Sequence, residues 1–263
     1  MKTDYKNWMP KGMVFNMAGI AGGFLVFYVV FGVLPVLPQG KVRTVVGIIL
    51  LVLTILFALV ALWMLLMYRA FSYNGNRQMS KQIIEGVAAY VNIPDGGKGL
   101  DVGCGSGALT IACAKRNPKA SMIGIDRWGK EYASFSKQLC ENNSKAEGVN
   151  NTSFEQGDAT HLDFADETFD AVTSNYVYHN IPSRDRQAIL LETLRTLKKG
   201  GTFAIHDIMS KGRYGDMQEF VKRLKDMGYE EVKLIDTTNG MFMSRFEALW
   251  MELSGSTILV GRK

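Results

Sequence analysis

The sequence contains only three cysteines and three histidines among its 263 residues. Cys104, Cys113 and Cys140 show no Cys-x-x-Cys spacing, and the histidines do not cluster with them. The spacing therefore indicates neither a disulfide framework nor a zinc site, and we predict no metal centre. Reduced cysteines of this kind are typical of proteins in the cytosol.

Charged residues are missing from two long stretches. None occurs between Lys11 and Lys41 or between Arg43 and Arg69. As a helix, residues 44–68 would extend about 37 Å, which exceeds the roughly 30 Å hydrocarbon core of a bilayer. The second stretch is therefore predicted to span a membrane.

The first stretch is less uniform, because Asn16 and several glycines interrupt it and prolines follow. It is too long for a cleaved signal peptide, and no small-residue cleavage site is evident. We predict two transmembrane helices at about 13–37 and 44–68, within a membrane anchor of residues 1–71. Gly19 and Gly23 have the spacing that lets helices pack closely in lipid, and the hairpin could pair with a second copy as a homodimer.

Residues 78–263 carry no excess of positive charge. Up to residue 77 there are seven Lys or Arg and one acidic residue, whereas residues 78–263 hold 23 Lys or Arg and 24 Asp or Glu. This balance argues against a nucleic-acid partner. The basic residues flanking the apolar stretches predict a multi-pass protein of the cell membrane with both termini and the domain of residues 72–263 in the cytoplasm.

From about residue 78, helical and strand-like patterns alternate. Strands are predicted at "LDVG", "SMIGID", "TSFEQGD", "FDAVTSN", "TFAIHDI", "YEEVKLID" and "STILVGRK". Helices are predicted between them, including "RQMSKQIIEGVAAYVNI" with Ser80 as cap and "GKEYASFSKQLCENNSKAEG". Alternation of this kind predicts an α/β fold with a mostly parallel sheet covered by helices on both faces.

A glycine-rich turn, Gly103, Gly105 and Gly107, follows the first of these strands. Read with Ala108, the turn also matches the dinucleotide fingerprint, and Asp126 ends the next strand as that fingerprint requires. Asp101, however, precedes the turn by two residues, where its negative charge would oppose a pyrophosphate and favour a cationic ligand.

The three motifs "LDVGCGSG", "GID" and "GDATHLDFADETFDAV" occur in this order on successive predicted strands. Over roughly residues 73–210 they resemble class I methyltransferases that use S-adenosylmethionine, especially the branch that methylates ubiquinone and menaquinone. The resemblance implies a Rossmann-like fold with a seven-stranded sheet.

The resemblance also implies a cofactor site. Asp101, Gly103, Gly105 and Gly107 would surround the methionine part of S-adenosylmethionine. Asp126 would bind the ribose hydroxyls with both carboxylate oxygens, since vicinal hydroxyls suit a bidentate acceptor. Asp158 and Ala159 would meet the adenine edge.

The stretch "SNYVYHNI" follows the fourth strand and, in these families, lies beside the transferred methyl group. Asn175 is predicted to contact the cofactor, and Tyr176 and His179 are predicted catalytic residues. His179 is a candidate base, because histidine titrates close to working pH. Tyr73, in the link between anchor and domain, is predicted to close over the cofactor.

The sequence therefore predicts a membrane-anchored methyltransferase. Only about nine residues, 69–77, lie between the second predicted span and the first predicted helix of the domain. We therefore expect a small, lipophilic or membrane-associated acceptor: a quinone precursor, prenylated compound, aminolipid or hydrophobic thiol. Two alternatives stay open, an NAD-dependent oxidoreductase and a non-catalytic membrane sensor that binds the cofactor.

Overall fold

The computed structural model describes residues 2–129 and 134–263. The chain divides into a helical unit, Asn7–Ser80, and an α/β unit, which comprises Lys81–Lys263 together with the residues up to Lys6. The segment 2–6 thus groups with the α/β unit, although it precedes the apolar helices in the chain. A functional boundary between residues 71 and 72 stays a prediction.

The helical unit is a hairpin of two apolar helices. Helix α1, Lys11–Phe27, continues into a π-helical turn, Tyr28–Val33, and helix α2 spans Lys41–Phe71. By length and composition, Lys11–Val33 and Lys41–Phe71 are candidate membrane spans, with mean hydropathies of 2.0 and 3.2. The first therefore ends four residues before the predicted position, because Leu34 turns extended ahead of Pro35.

The hairpin closes at a different glycine pair from the one that the spacing indicated. A Cβ added to Gly32 would lie 3.1 Å from the Cα of Gly47, whereas one added to Gly19 or Gly23 would meet nothing within 4 Å. The Arg43 side chain, from the start of α2, donates to the carbonyl of Gly32 (3.0 Å). Arg43 thus satisfies a carbonyl that the π-helical turn leaves exposed.

The α/β unit contains a seven-stranded sheet, and the predicted mostly parallel sheet is confirmed. The strand order is β3-β2-β1-β4-β5-β7-β6, and β7 runs antiparallel to both of its neighbours. The strands are β1 Lys98–Val102, β2 Ser121–Asp126, β3 Thr152–Gln156, β4 Phe169–Asn175, β5 Leu197–Ile208, β6 Glu230–Asp236 and β7 Ser256–Arg262.

Seven α-helices and one short 3-10 helix, Tyr178–Asn180, complete the described part of this region. The α-helices are α3 Met79–Ala88, α4 Ala108–Arg116, α5 Lys137–Ala146, α6 Arg186–Arg195, α7 Lys211–Tyr214, α8 Met217–Asp226 and α9 Arg245–Trp250. Two predictions about helix starts were wrong. Ser80 lies inside α3, where its hydroxyl donates to the Phe71 carbonyl instead of capping the helix. Helix α5 begins eight residues later than predicted, because the Ser136 hydroxyl accepts from the N–H of Leu139 and caps it there; residues 130–133 of that prediction lie outside the described residues.

The order of the strands determines where a ligand can bind. The chain winds outward from β1 through β2 to β3, and then returns to the other side of β1 with β4. In sheets of this type, ligands bind beyond the carboxyl ends of the strands where the winding direction reverses. The carboxyl ends of β1, β2, β4 and β5 and the residues that follow them therefore lie at one edge. All the predicted site residues except Tyr73 come from these segments and the turn after β3.

Candidate active site

The glycine-rich turn connects β1 to α4 by a backbone that only glycine adopts readily. Gly103, Gly105 and Gly107 have φ values of +74°, +56° and +80°. The N–H groups of Gly103 and Cys104 both donate to the Ile125 carbonyl at the end of β2, at 2.8 and 2.9 Å. The turn is thus fastened to the neighbouring strand and leads directly into the N-terminus of α4.

Two of these glycines are required for different reasons. A Cβ on Gly103 would lie 2.2 Å from the Val177 side chain, so a close packing contact excludes any larger residue. Among the described residues, a Cβ on Gly105 would meet only the Phe135 ring, at 3.9 Å. Within residues 2–129 and 134–263, Gly105 therefore borders open space, and its missing side chain leaves room for a ligand against the backbone.

Asp126 joins the end of β2 to this turn. One carboxylate oxygen accepts from the N–H of Gly105 (2.9 Å), and the other accepts from the N–H of Trp128 (2.8 Å). The Trp128 indole in turn donates to the Gly105 carbonyl (3.1 Å). A carboxylate offers about four acceptor positions, so Asp126 retains capacity for two hydroxyls. Asp126 does not cap a helix within the described residues that follow it, because residues 127–129 are not helical.

Asp101 lies beneath the turn. Its side chain is 1% exposed and accepts from the hydroxyls of Thr110 (2.6 Å) and Thr173 (3.0 Å). Burial raises the pKa of Asp101 to about 7, although the two threonine hydrogen bonds oppose the rise. The structure therefore places Asp101 as a buried link between β1, α4 and β4, and its predicted contact with the methionine part of the cofactor stays a prediction.

The turn after β3 carries Asp158 and Ala159. One oxygen of Asp158 accepts from the N–H and the hydroxyl of Thr160, at 2.8 and 2.7 Å, and these bonds hold the pKa of the carboxyl below its usual value. Its other oxygen accepts no hydrogen bond from residues 2–129 or 134–263. Asp158 is exposed and Ala159 is buried beside it. This arrangement leaves one ionised oxygen available to a donor such as an amino group.

The far side of the site follows β4. His206, on β5, is fully buried between Asn175 (2.8 Å) and the Thr237 hydroxyl (3.0 Å). The Thr237 hydroxyl also lies 2.9 Å from the Ser256 carbonyl. Burial lowers the pKa of His206 to about 3, so the ring is neutral. The amide oxygen of Asn175 can only accept, so Nδ1 carries the ring proton and donates to it.

Tyr176 has a backbone conformation that few residues adopt, with φ +54°. Its N–H donates to the His206 carbonyl (2.8 Å), and its hydroxyl lies 2.7 Å from that of Ser256. Since Ser256 donates to the Leu253 carbonyl, Tyr176 is the donor in this pair. Burial raises the pKa of Tyr176 well above its usual value. Its phenol is thus held neutral, and proton transfer falls more naturally to its neighbour His179.

His179 forms a dyad with Asp207, the residue after His206. Nδ1 of His179 lies 2.6 Å from one carboxylate oxygen, and the His179 N–H donates to the other at 3.2 Å. Burial alone would raise the pKa of Asp207, but the hydrogen bonds from His179 outweigh it and hold the pKa below its usual value. An ionised Asp207 keeps the proton on Nδ1, and Nε2 accepts no hydrogen bond from the described residues.

Tyr73 lies in the helical unit, in the segment between α2 and α3. Its closure over the cofactor therefore stays a prediction. The role of Asp207 was harder to predict, because only its position at the end of a strand marked it. No cluster of three or more metal-ligating side chains occurs in the described ranges 2–129 and 134–263.

Residues 93–245 match the model of a family described as "Methyltransferase domain". Over 107 residues the chain is 37% identical to the demethylmenaquinone methyltransferase of Lactobacillus johnsonii, which covers 40% of this chain and 41% of that protein. Matches of this kind span less than half the length of the curated relatives. They favour a methyltransferase over an NAD-dependent oxidoreductase.

Two solved structures share the fold. Geranyl diphosphate methyltransferase, in complex with GPP and sinefungin, aligns with a TM-score of 0.56 at 12% identity, covering 74% of this chain and 81% of that one. The [4+2]-cyclase SpnF aligns with a TM-score of 0.55 at 18% identity, covering 73% and 85%. The predicted class I, Rossmann-like fold is confirmed, and S-adenosylmethionine is the cofactor that it implies. The open space at Gly105 and the spare acceptors of Asp126 and Asp158 suit that cofactor.

Proposed function

The chain belongs to the methyltransferase family whose model it matches, and we propose that it transfers a methyl group from S-adenosylmethionine to a small lipophilic acceptor, in the first place a quinone precursor. The observation that carries this proposal is the pairing of two features at one sheet edge. The glycine turn with Asp126 suits the cofactor, and the His179–Asp207 dyad after β4 and β5 suits removal of a proton from the acceptor.

Bound S-adenosylmethionine would supply a methyl group on a positively charged sulfur, which departs as a thioether when a nucleophile takes the methyl. The protein's part is then to hold the two reactants in line and to make the acceptor nucleophilic. We assign the cofactor ribose to Asp126 and the adenine edge to Asp158 and Ala159. The backbone of Gly103, Gly105 and Gly107 would line the methionine part of the cofactor.

His179 would act as the base. Asp207 accepts a hydrogen bond from Nδ1–H, which keeps the ring proton on Nδ1. The Nε2 lone pair is therefore available to take a proton from an acceptor hydroxyl. The buried carboxylate would also stabilise the imidazolium that results. For a hydroquinone, transfer of the hydroxyl proton to His179 makes the adjacent ring carbon nucleophilic, and that carbon would bond the methyl group. The same carbon would then lose its own proton to solvent, which restores the aromatic ring as a phenolate, and the imidazolium of His179 would return the hydroxyl proton.

Two observations support a lipophilic acceptor. Relatives at 37% identity are named demethylmenaquinone methyltransferases. In addition, the segment around α9 exposes large apolar side chains on the α/β unit, with Met241, Phe246 and Leu249 at 45%, 73% and 70% exposure. The two candidate membrane spans belong to the same chain. We therefore propose a membrane location with the α/β unit in the cytoplasm.

The test is methyl transfer by the full-length protein in lipid nanodiscs. Methyl-labelled S-adenosylmethionine is incubated with a reduced demethylated naphthoquinone carrying a prenyl tail, and the lipid and aqueous fractions are separated. We expect label in the lipid fraction together with an equal amount of S-adenosylhomocysteine. The shared fold with a cyclase shows that the fold alone does not determine the reaction. Cofactor binding without S-adenosylhomocysteine, with this and the other acceptor classes, would favour the non-catalytic sensor.

A further inference from the structure

Asn143, on α5, connects the glycine turn to the N-terminal segment (residues 2–6). Its side chain is 1% exposed and makes three hydrogen bonds. The amide nitrogen donates to the carbonyls of Ser106 (3.0 Å) and Asp4 (3.1 Å), and the amide oxygen accepts from the N–H of Asp4 (2.7 Å). Every hydrogen of this amide is thus used, and two of the three bonds go to one residue far away in the sequence.

Tyr5 adds an apolar contact next to this link. Its ring packs against a buried cluster that lies behind the turn and consists of Cys104, Ile111, Cys140 and Phe154. Its hydroxyl donates to Glu147 (3.3 Å), which also pairs with Lys115 of α4. The N-terminal segment is therefore attached to both helices that flank the turn.

The contacts behind the turn hold its carbonyl groups in place. The Gly105 carbonyl accepts from the Trp128 indole (3.1 Å) and the Cys140 thiol (3.2 Å), and the Ser106 carbonyl accepts from Asn143. In a trans peptide the C=O and the following N–H point in opposite directions. Fixing these carbonyls toward α5 and Trp128 therefore fixes the direction of the next two N–H groups, those of Ser106 and Gly107, and the Gly107 N–H donates to the Cys104 carbonyl (2.7 Å) within the turn.

From these contacts we propose that the N-terminal segment is a working part of the cofactor site. By holding Asn143 through both backbone groups of Asp4, and by packing Tyr5 on the cluster, it keeps the glycine turn in the conformation that binds S-adenosylmethionine. Asn143 and Asp4 are positioning residues, since both act on the cofactor site through the glycine turn. Only residues 7–10 separate the segment from α1, so the chain ahead of the first apolar helix serves the α/β unit.

The test compares two substitutions at one position in the full-length protein. Asp4→Pro removes the N–H that donates to Asn143, whereas Asp4→Ala keeps it and loses only the side chain, which contacts Lys6. Titration calorimetry with S-adenosylmethionine should give a Kd about three- to five-fold higher for Asp4→Pro than for Asp4→Ala, which is the size expected from one neutral hydrogen bond. Equal Kd values for the two variants would overturn the proposal.

A second pair keeps the proposal testable if proline disturbs the segment more widely. Tyr5→Phe keeps the ring on the cluster, and Tyr5→Ala removes it, so only Tyr5→Ala should raise the Kd to a similar extent. Hydrogen exchange should be faster at residues 103–107 in both weakened variants. If the contact served stability alone, its loss would lower Tm and leave the Kd unchanged at temperatures below the unfolding transition. That result would also refute the proposal. Because the readout is binding, it is independent of whether any acceptor is methylated.

Discussion

The imidazole of His179 and the carboxylate of Asp207 meet at 2.6 Å, and the same carboxylate accepts from the His179 backbone N–H. This two-point contact fixes the ring relative to β5. The His179 side chain is 15% exposed, whereas that of Asp207 is fully buried. The dyad therefore has a buried anchor and a ring that an acceptor can reach.

Loss of the dyad should slow catalysis without weakening cofactor binding. We expect His179→Gln to lower kcat by about 10²- to 10⁴-fold, which is the usual contribution of a positioned base. Asp207→Asn should also lower kcat, because an amide nitrogen would donate to Nδ1 and move the ring proton to Nε2. The measurements are steady-state kinetics with the quinol acceptor and calorimetry with S-adenosylmethionine. A kcat equal to that of the wild type in His179→Gln would rule out its role as base.

Gly105→Ala should raise the Kd for S-adenosylmethionine strongly, with a modest loss of stability. The added methyl group would enter the open space beside the turn, and the left-handed backbone would cost about 1 kcal/mol of unfolding free energy. Gly96→Ala is the matched control, since Gly96 has φ +77° and an added Cβ would meet nothing within 4 Å. Similar Tm values for the two variants, with a raised Kd for Gly105→Ala alone, would be the expected result.

Asp126→Asn should raise the Kd for S-adenosylmethionine by at least about tenfold. The substituted amide keeps one oxygen, so it cannot accept from both Gly105 and Trp128, and one partly buried donor loses its partner. Asp158→Asn should have a smaller effect, because its occupied oxygen serves only the local bonds to Thr160. If the two variants bound the cofactor equally well, the assignment of the ribose to Asp126 would be wrong.

Asp101→Asn should change the pH dependence of stability in the absence of cofactor. The folded pKa of about 7 lies above the ordinary value of 3.8, so between these values the folded protein binds a proton that the unfolded chain has released. The contribution of Asp101 therefore lowers the free energy of unfolding as the pH rises from 4 to 7. His206 acts in the opposite direction over this range, because its folded pKa is lowered.

Subtracting the two proteins isolates the carboxyl group. In thermal unfolding, the Tm of Asp101→Asn should rise relative to that of the wild type as the pH increases from 4 to 8. The contribution of His206 is the same in both proteins and cancels in the difference. A constant difference in Tm across this range would mean that Asp101 titrates normally in the folded state.

The exposed apolar side chains of α9 should matter for lipid-borne acceptors only. Replacing Phe246 and Leu249 by serine should lower kcat/KM several-fold for a prenylated acceptor in nanodiscs and leave it unchanged for a short-chain analogue in detergent-free buffer. Met227→Ser, which alters a residue outside α9 that is 54% exposed, is the control. Equal losses for both acceptors would assign the two residues to catalysis or folding instead of acceptor delivery.

The sequence predicted the sheet and the glycine turn well because both depend on local patterns. Gly103 and Gly105 needed a backbone that few other residues adopt, and the motif therefore marked a real geometric demand. The alternation of helical and strand-like patterns of apolar residues along the chain likewise indicated the parallel sheet. What these signals share is that neighbouring residues carry them.

Pairings between distant residues could not be predicted in the same way. Asp207 follows His206 in the chain, yet successive strand residues point to opposite faces, so one contacts His179 and the other contacts Asn175 and Thr237. The start of α5 depended on Ser136 accepting from Leu139, against a helical pattern that began earlier. The link between Asp4 and Asn143 joins residues 139 positions apart, and no local spacing indicates such a pair.

That link also sets an order of events during synthesis. Residues 2–6 leave the ribosome before the two apolar helices, but the side chain that accepts from Asp4 is made only when residue 143 is reached. Two hairpin helices and the first two strands must emerge in between. Contacts between such distant residues form late, because the intervening chain must be closed into a loop. The earliest residues of the chain are therefore among the last to reach their final position, and the glycine turn is complete only when they do.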